Sequence, residues 1–391
     1  MRTWSEVLIF TCAKSNPVES NVKTTITVFR SRLKRNLRTI QRAVGHQTRI
    51  LLVIKDNAYG HGMIPLAQYA QREKLVKYLG VASVDEAIKL RQNKVTLPIL
   101  VLGTTFVDEY KAVAKYRITP SLSNLDEAAA LDRFAKRIKK RIKIHVELDT
   151  GMGRLGIWCF DALSFLFQMK RHKHLQLEGI FSHFPDAENT KHAEFSQSQI
   201  KIFGKIKELF EELYPREVLY YHFANSAGIL NYPQSYMNMV RPGLLAYGIC
   251  GSESHQEGYK PILELKSVIS LIKKIEAGRP ISYALSYISP QDTRIAIVPL
   301  GYAKGYPWSL SNRSYVLIRG RECPVLGRVT MDQVMVEIGL NTDIKVGDEV
   351  VFIGRSKKQE IRVDQLAESA RTIPYEILCH LHPDIPRIYK D

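Results

Sequence analysis

The sequence predicts an α/β fold, a (β/α)8 barrel of the TIM type followed by a C-terminal, mainly β domain. Three features carry that reading. Between about residues 28 and 250, short β-branched apolar runs alternate with amphipathic segments of helical spacing. There are eight such runs, at 50–54, 78–83, 98–102, 117–122, 142–148, 177–183, 220–224 and 239–247. Beyond residue 255 the helical pattern fades, and runs at 294–299, 315–319, 333–338 and 349–353 are set apart by Gly, Asp and Asn. Alternating strands and helices imply a parallel sheet, and eight units in about 220 residues suit a closed barrel better than an open doubly wound sheet. In such barrels chemistry sits where the strands end.

The first helix candidate, 31–44, sets Leu33, Leu37, Ile40 and Val44 on one stripe. Before it, strand-like stretches at 6–12 and 24–29 flank a polar loop at 14–20 and are expected to add to the second domain. The expected division is therefore an N-terminal segment 1–27, a barrel 28–255 and a β domain 256–391. The chain's 391 residues suffice for two well-filled cores.

Composition narrows the function classes. No apolar run approaches the roughly 20 residues that span a bilayer, so no membrane partner is expected. The net charge of +17 favours anionic partners or substrates. The densest basic run, RFAKRIKKRIK at 133–143, interleaves Phe134, Ile138 and Ile142, which suits a helix end leading into a strand rather than a nucleic-acid grip. The five cysteines, Cys12, Cys159, Cys250, Cys323 and Cys379, are odd in number and scattered, which suggests reduced thiols. None falls in metal-ligand spacing, and a cytoplasmic location is expected.

Lys55 follows the first run directly, in KDNAYGHG at 55–62. An ammonium at the end of a core strand needs a reason, and a lysine with suppressed charge is the group that forms a Schiff base with an aldehyde. Further motifs follow at strand ends. They are DTGMGRLG at 149–156 behind Glu147, GIFSHF at 179–184, HFANSA at 222–227 and NMVRPG at 238–243. Later come ISYALSY at 281–287, GYA at 301–303, TMDQ at 330–333 and TIPYE at 372–376.

In this order, and across nearly the whole chain, these blocks resemble those of the alanine racemases. The resemblance implies pyridoxal 5'-phosphate as cofactor, bound through Lys55, and a homodimer with composite active sites that interconverts L- and D-alanine for peptidoglycan. It implies that Tyr59, Ser226, Gly243 and Tyr375 hold the phosphate, that His183 packs against the ring, and that Arg241 meets the pyridine nitrogen. Arg154 and Met331 would bind substrate, supported by Glu147, Tyr302 and Asp332. At the position of Glu147 many relatives carry a lysine that becomes carbamylated to hold the arginine; here a carboxylate stands there already.

Racemisation requires a proton-transfer group on each side of the cofactor plane, and the resemblance assigns Lys55 to one face and Tyr283 to the other. Lys304 replaces an aspartate usual in its block and Ala284 a glycine, while residues 13–23 interrupt the N-terminal strand region. The rivals are a racemase of broader, serine or lysine specificity, a non-catalytic pyridoxal-phosphate protein, and a barrel decarboxylase. The decarboxylases lack the Tyr283 and Met331 blocks.

Overall fold

The structure, a computed structural model, describes residues 23–391 apart from 214, 216, 217 and 252–255. The strand-like stretch at 6–12 lies outside the described residues. Eight parallel strands form the barrel: Arg49–Val53, Tyr78–Val81, Ile99–Val101, Thr119–Leu122, Ile142–Asp149, Leu175–Phe181, Tyr220–His222 and Met239–Val240. Each pairs with the next in sequence, and the eighth returns to the first, where Met239 faces Arg49. The ring is closed, as the eight runs predicted.

The physical basis is direct. Ile50, Leu51, Leu52 and Val53 are all buried, because a barrel strand is covered inside by the barrel core and outside by helices. The helix Arg30–Val44 buries Leu33, Leu37, Ile40 and Val44, the stripe read from the sequence. The basic run splits between the end of helix Leu125–Arg137 and the start of strand Ile142–Asp149. The eighth run differs from expectation, since only Met239–Val240 pairs as strand. Pro242 offers no N–H to the ladder, and residues 243–248 close into turns through Ala246 N to Gly243 O and Tyr247 N to Leu244 O.

The second domain is built on two sheets. The larger has the order Arg321–Pro324, Tyr315–Ile318, Glu349–Ser356, Leu263–Val268, Thr25–Phe29 and Arg387–Lys390, with Gln359–Ile361 beside Glu349–Ser356. Thr25–Phe29 thus pairs antiparallel with Leu263–Val268 and parallel with Arg387–Lys390 before the chain enters the barrel. The smaller sheet joins Leu271–Ile275, Thr293–Val298 and Val334–Glu337. Helices Val363–Ala370 and Pro374–Cys379 were not legible as such; the second of them leans on the turn that follows the first barrel strand. Among the described residues no helix is long and apolar enough to cross a membrane.

Asn36 is a polar exception on the buried stripe. Its amide donates to Ala246 O at 3.0 Å and Lys260 O at 2.9 Å, and its oxygen accepts from Lys260 N at 2.9 Å. One side chain therefore pins the first helix to the segment leaving the barrel. Asn36→Leu keeps the volume but leaves these backbone groups unpaired, and is expected to cost about 2–4 kcal/mol. A lowered urea midpoint with an unchanged slope checks this, and an unchanged midpoint contradicts it.

Candidate active site

A cavity of about 540 Å³ opens at the C-terminal ends of the barrel strands, the face on which barrel enzymes place their chemistry. Lys55, Tyr59, Glu147, Arg154, His183, Ser226, Arg241, Gly243 and Tyr375 all line it, although they come from widely separated points of the sequence.

The turn carrying Lys55 is unusual in backbone as well as in sequence. Asp56, Asn57, Ala58 and Tyr59 have φ of 52°, 54°, 56° and 49°, a left-handed turn that only Asp and Asn among non-glycine residues adopt with any ease. It is held from three sides. Ala58 N donates to Ile54 O and Gly62 N to Asn57 O, while the Asn57 side chain accepts from Met63 N. The Glu86 carboxylate takes Asp56 N at 2.6 Å and Ala82 N at 2.8 Å. Finally Gly60, at φ 75°, lies so close to the second domain that a Cβ there would sit 2.2 Å from Leu378 O.

The turn delivers Tyr59 to one wall. Its ring meets Tyr247 and Tyr375 edge-on, at 5.3 and 5.5 Å between centroids. A Cβ on Gly243 would come within 2.6 Å of the Tyr59 hydroxyl, so only glycine fits. Ser226 Oγ accepts from Gly243 N at 2.9 Å and Leu245 N at 3.2 Å, which leaves its own proton free to donate. Burial pushes the Tyr375 phenol up to about 12 and Tyr59 well above its usual value, so both stay protonated donors at neutral pH. Three hydroxyls and a close backbone approach make a seat for a small dianion.

Arg241 also lines the cavity and is almost completely buried. Nη1 donates to His222 O at 2.8 Å and His222 Nδ1 at 3.0 Å. Nη2 donates to Ser182 O, His183 Nδ1 and Phe223 O. Nε has no acceptor among the described residues. Burial pushes the guanidinium down to about 10, which keeps it charged. Burial and the Arg241 charge hold His183 far below its ordinary range, so its ring is neutral.

Asp149 shapes the glycine loop by accepting from Gly151, Met152 and Gly153 N–H groups at 2.8–2.9 Å. Arg154 follows, exposed at the rim. The ion pair expected between Arg154 and Glu147 is not formed within 4 Å. Glu147 is buried, its Oε2 has no partner, and desolvation raises its carboxyl to about 7 against the opposing pull of Arg241 and Arg154.

Tyr283, Tyr302 and Met331 do not line this cavity. They stand 69%, 44% and 54% exposed on the second domain, beside exposed Asp332. Tyr302 N to Thr330 O, Ala303 N to Met331 O and Ser282 Oγ to Arg328 O lace their loops into one surface. Leu285, Ile288 and Trp308 are also exposed in these loops, more bare apolar surface than scattered residues account for. Lys304, the charge reversal, lies 3.7 Å from Asp384.

Several cavity features escaped the sequence reading. Ser83 and Glu86 carry the spacing of a capping box, and Ser83 does cap its helix. The Glu86 carboxylate, however, is spent on the Lys55 turn. Asn225 and Cys379 line the cavity without any sequence signal of their own.

Glu147 yields a test. A carboxyl raised from 4.5 to about 7 on folding contributes stability at low pH that is lost as pH climbs through about 7. Glu147→Gln should therefore gain stability over the parent between pH 5 and 8, by on the order of 3 kcal/mol at most. Denaturant midpoints of cofactor-free protein at both pH values check it, and a constant difference contradicts it.

The alanine racemase N-terminal domain model matches residues 28–250, and the C-terminal domain model residues 262–389. An alanine racemase of Halothermothrix orenii is 36% identical over 364 residues, 92% of this chain and 94% of that protein. The structure of an alanine racemase from Clostridium difficile 630 superposes with a TM-score of 0.87 at 34% identity, covering 95% of this chain and 96% of that one. One from Bartonella henselae, with covalently bound pyridoxal phosphate, gives 0.85 at 26% identity over 94% and 99%. Together with the closed barrel and its lined mouth, these matches establish that the chain belongs to the alanine racemase family.

Proposed function

We propose that the chain interconverts L- and D-alanine in a homodimer, with Lys55 and Tyr283 as opposed proton-transfer groups. As a family member it is a pyridoxal-phosphate-dependent isomerase. The observation that carries the finer reading is the separation of the site into halves. The cavity gathers nine of the expected residues, whereas Tyr283, Tyr302 and Met331 lie exposed on the second domain, outside its lining. Two copies related by a two-fold axis would bring each exposed face to the other copy's cavity.

The cavity fits the cofactor on its own terms. The free hydroxyls around Gly243 suit a phosphate, and the unused Nε of Arg241 suits a ring nitrogen acceptor. Bound there, pyridoxal phosphate draws electrons away from the carbon that loses its hydrogen, which no side chain here does.

Tyr59, Ser226, Gly243 and Tyr375 would anchor the phosphate, and Lys55 would hold the group covalently at the other end. His183, neutral and fixed by Arg241, would pack against the ring. Arg241 stays charged and donates, so it would leave the ring nitrogen without a proton of its own. The Lys55 amine would remove or return the proton on one face, and the partner copy's phenol on the other. A phenolate forms near neutral pH only beside positive charge; Arg154 at the rim is suited to supply it and to pair with a substrate carboxylate. Met331 would border that carboxylate, with Tyr302 and Asp332 shaping the entrance. On this reading the barrel spans 28–255 and the second domain 256–391, with 1–27 feeding a strand into the latter, in a cytoplasmic enzyme.

Lys55→Ala and Tyr283→Phe proteins should each lose nearly all activity. Mixed under subunit exchange, they are expected to recover up to about a quarter of parental D-alanine formation through heterodimers with one intact site. No recovery contradicts shared sites, and faster turnover of L-serine or L-lysine than of L-alanine in the parent contradicts the substrate assignment.

A further inference from the structure

Arg241 presents a physical problem. Its guanidinium is buried, and among the described residues no carboxylate lies within 4 Å of it, although the buried Glu147 acts on it from farther off. A line of polar side chains leads from it down the barrel axis. Nη1 donates to His222 Nδ1 at 3.0 Å, and His222 Nε2 lies 2.8 Å from His145 Nδ1. His145 Nε2 has no hydrogen-bond partner among the described residues and lies 4.0 Å from Glu178 Oε2, within reach of its charge but not of a hydrogen bond. Tyr78 OH donates to that same oxygen, and Lys143 Nζ donates to Oε1 at 2.5 Å. The line spans the interior, from the mouth to Lys143, whose side chain is 54% exposed.

The sequence makes room for it. Gly179 lies against the His145 ring, where a Cβ would come within 2.5 Å of Cε1. The fifth and sixth strands shift register beside His145. His222 stacks flat on Phe181, 4.8 Å between centroids at 9°. Neither imidazole can turn freely.

We propose that His145 and Glu178 are positioning residues for Arg241, forming with His222 a one-directional column that fixes both imidazoles as Nε2–H tautomers. The direction follows from donor and acceptor inventory. A guanidinium only donates, so His222 Nδ1 accepts. A neutral His222 then carries its proton on Nε2 and donates to His145 Nδ1. His145 in turn carries its proton on Nε2, pointing at the carboxylate. Reversing either ring sets two donors against each other. Burial supports neutral rings, pushing His145 down to about 4 and His222 further below the usual range. The consequence is that Arg241 is held in the cavity lining with its terminal nitrogens occupied and Nε unspent.

This inference rests on Arg241 as the contact of the cofactor's ring nitrogen; its test does not. The tautomers can be read by ¹⁵N-edited NMR of the histidine rings in cofactor-free, full-length protein, assigned with His145→Gln and His222→Gln. Both rings should show bare Nδ1 and protonated Nε2 across about pH 6–9. Arg241→Met, which removes the donor that sets the direction, should mix the tautomers, whereas Glu178→Gln should keep them and lower kcat for alanine about tenfold, with KM moved less than about threefold. Lys143→Met, a change at an exposed side chain, should act in the same direction but less. An Nδ1–H tautomer on either ring of the parent overturns the column. So do parental tautomers in Arg241→Met, or parental kcat in Glu178→Gln or, should that protein not fold, in Lys143→Met. Cofactor affinity of Arg241→Met tests the underlying contact separately.

Discussion

Everything at the barrel mouth depends on the left-handed turn from Asp56 to Gly60. Four successive non-glycine residues in this region cost on the order of 1 kcal/mol or more each, so the turn persists only because its surroundings over-determine it. Glu86 binds its leading N–H from the second barrel strand's side, Asn57 caps the following helix, and Leu378 leaves no room beyond Gly60. In return, one turn sets both Lys55 and Tyr59 against the same cavity. It also presses the barrel onto helix Pro374–Cys379, which brings in Tyr375. The two domains are thereby registered at the site itself.

The second constraint is polarity inside a closed barrel. Parallel strands bury both faces, and each polar group at the mouth must find a partner or lie open to a ligand. Arg241 satisfies its terminal nitrogens with three carbonyls and two imidazoles and keeps Nε. Ser226 accepts twice and keeps its proton. The groups that remain unspent are those a phosphorylated, nitrogen-bearing ring can use. Glu147 departs from this balance. Its buried oxygen has no partner and its carboxyl is raised, so its negative charge is costly until a cation such as Arg154 moves in.

Much of this was legible in the sequence because period and motif carry it. Eight apolar runs announced eight strands, and glycine-rich blocks at their ends announced the mouth. The eighth run was overread, since Pro242 and Gly243 break a stretch whose apolar residues serve turns instead. Glu86 carried no reading in the sequence, because its partners, Asp56 N and Ala82 N, come together only through the fold. The column from Arg241 to Glu178 was hidden for the same reason: alternate residues of four strands share an axis, and no spacing in one strand records it. Glu147 and Arg154 form no ion pair, the first buried and the second exposed at the rim, a difference in setting that a motif does not encode.

If the turn presents Lys55, and no other lysine, to the cofactor, the linkage can be located directly. Reducing the pyridoxal-phosphate-loaded protein with borohydride makes the linkage permanent, and peptide mass spectrometry then locates it. The account predicts one pyridoxyl group per chain, on the peptide bearing Lys55, and none in Lys55→Ala. A stoichiometric adduct on any other lysine of the parent contradicts it.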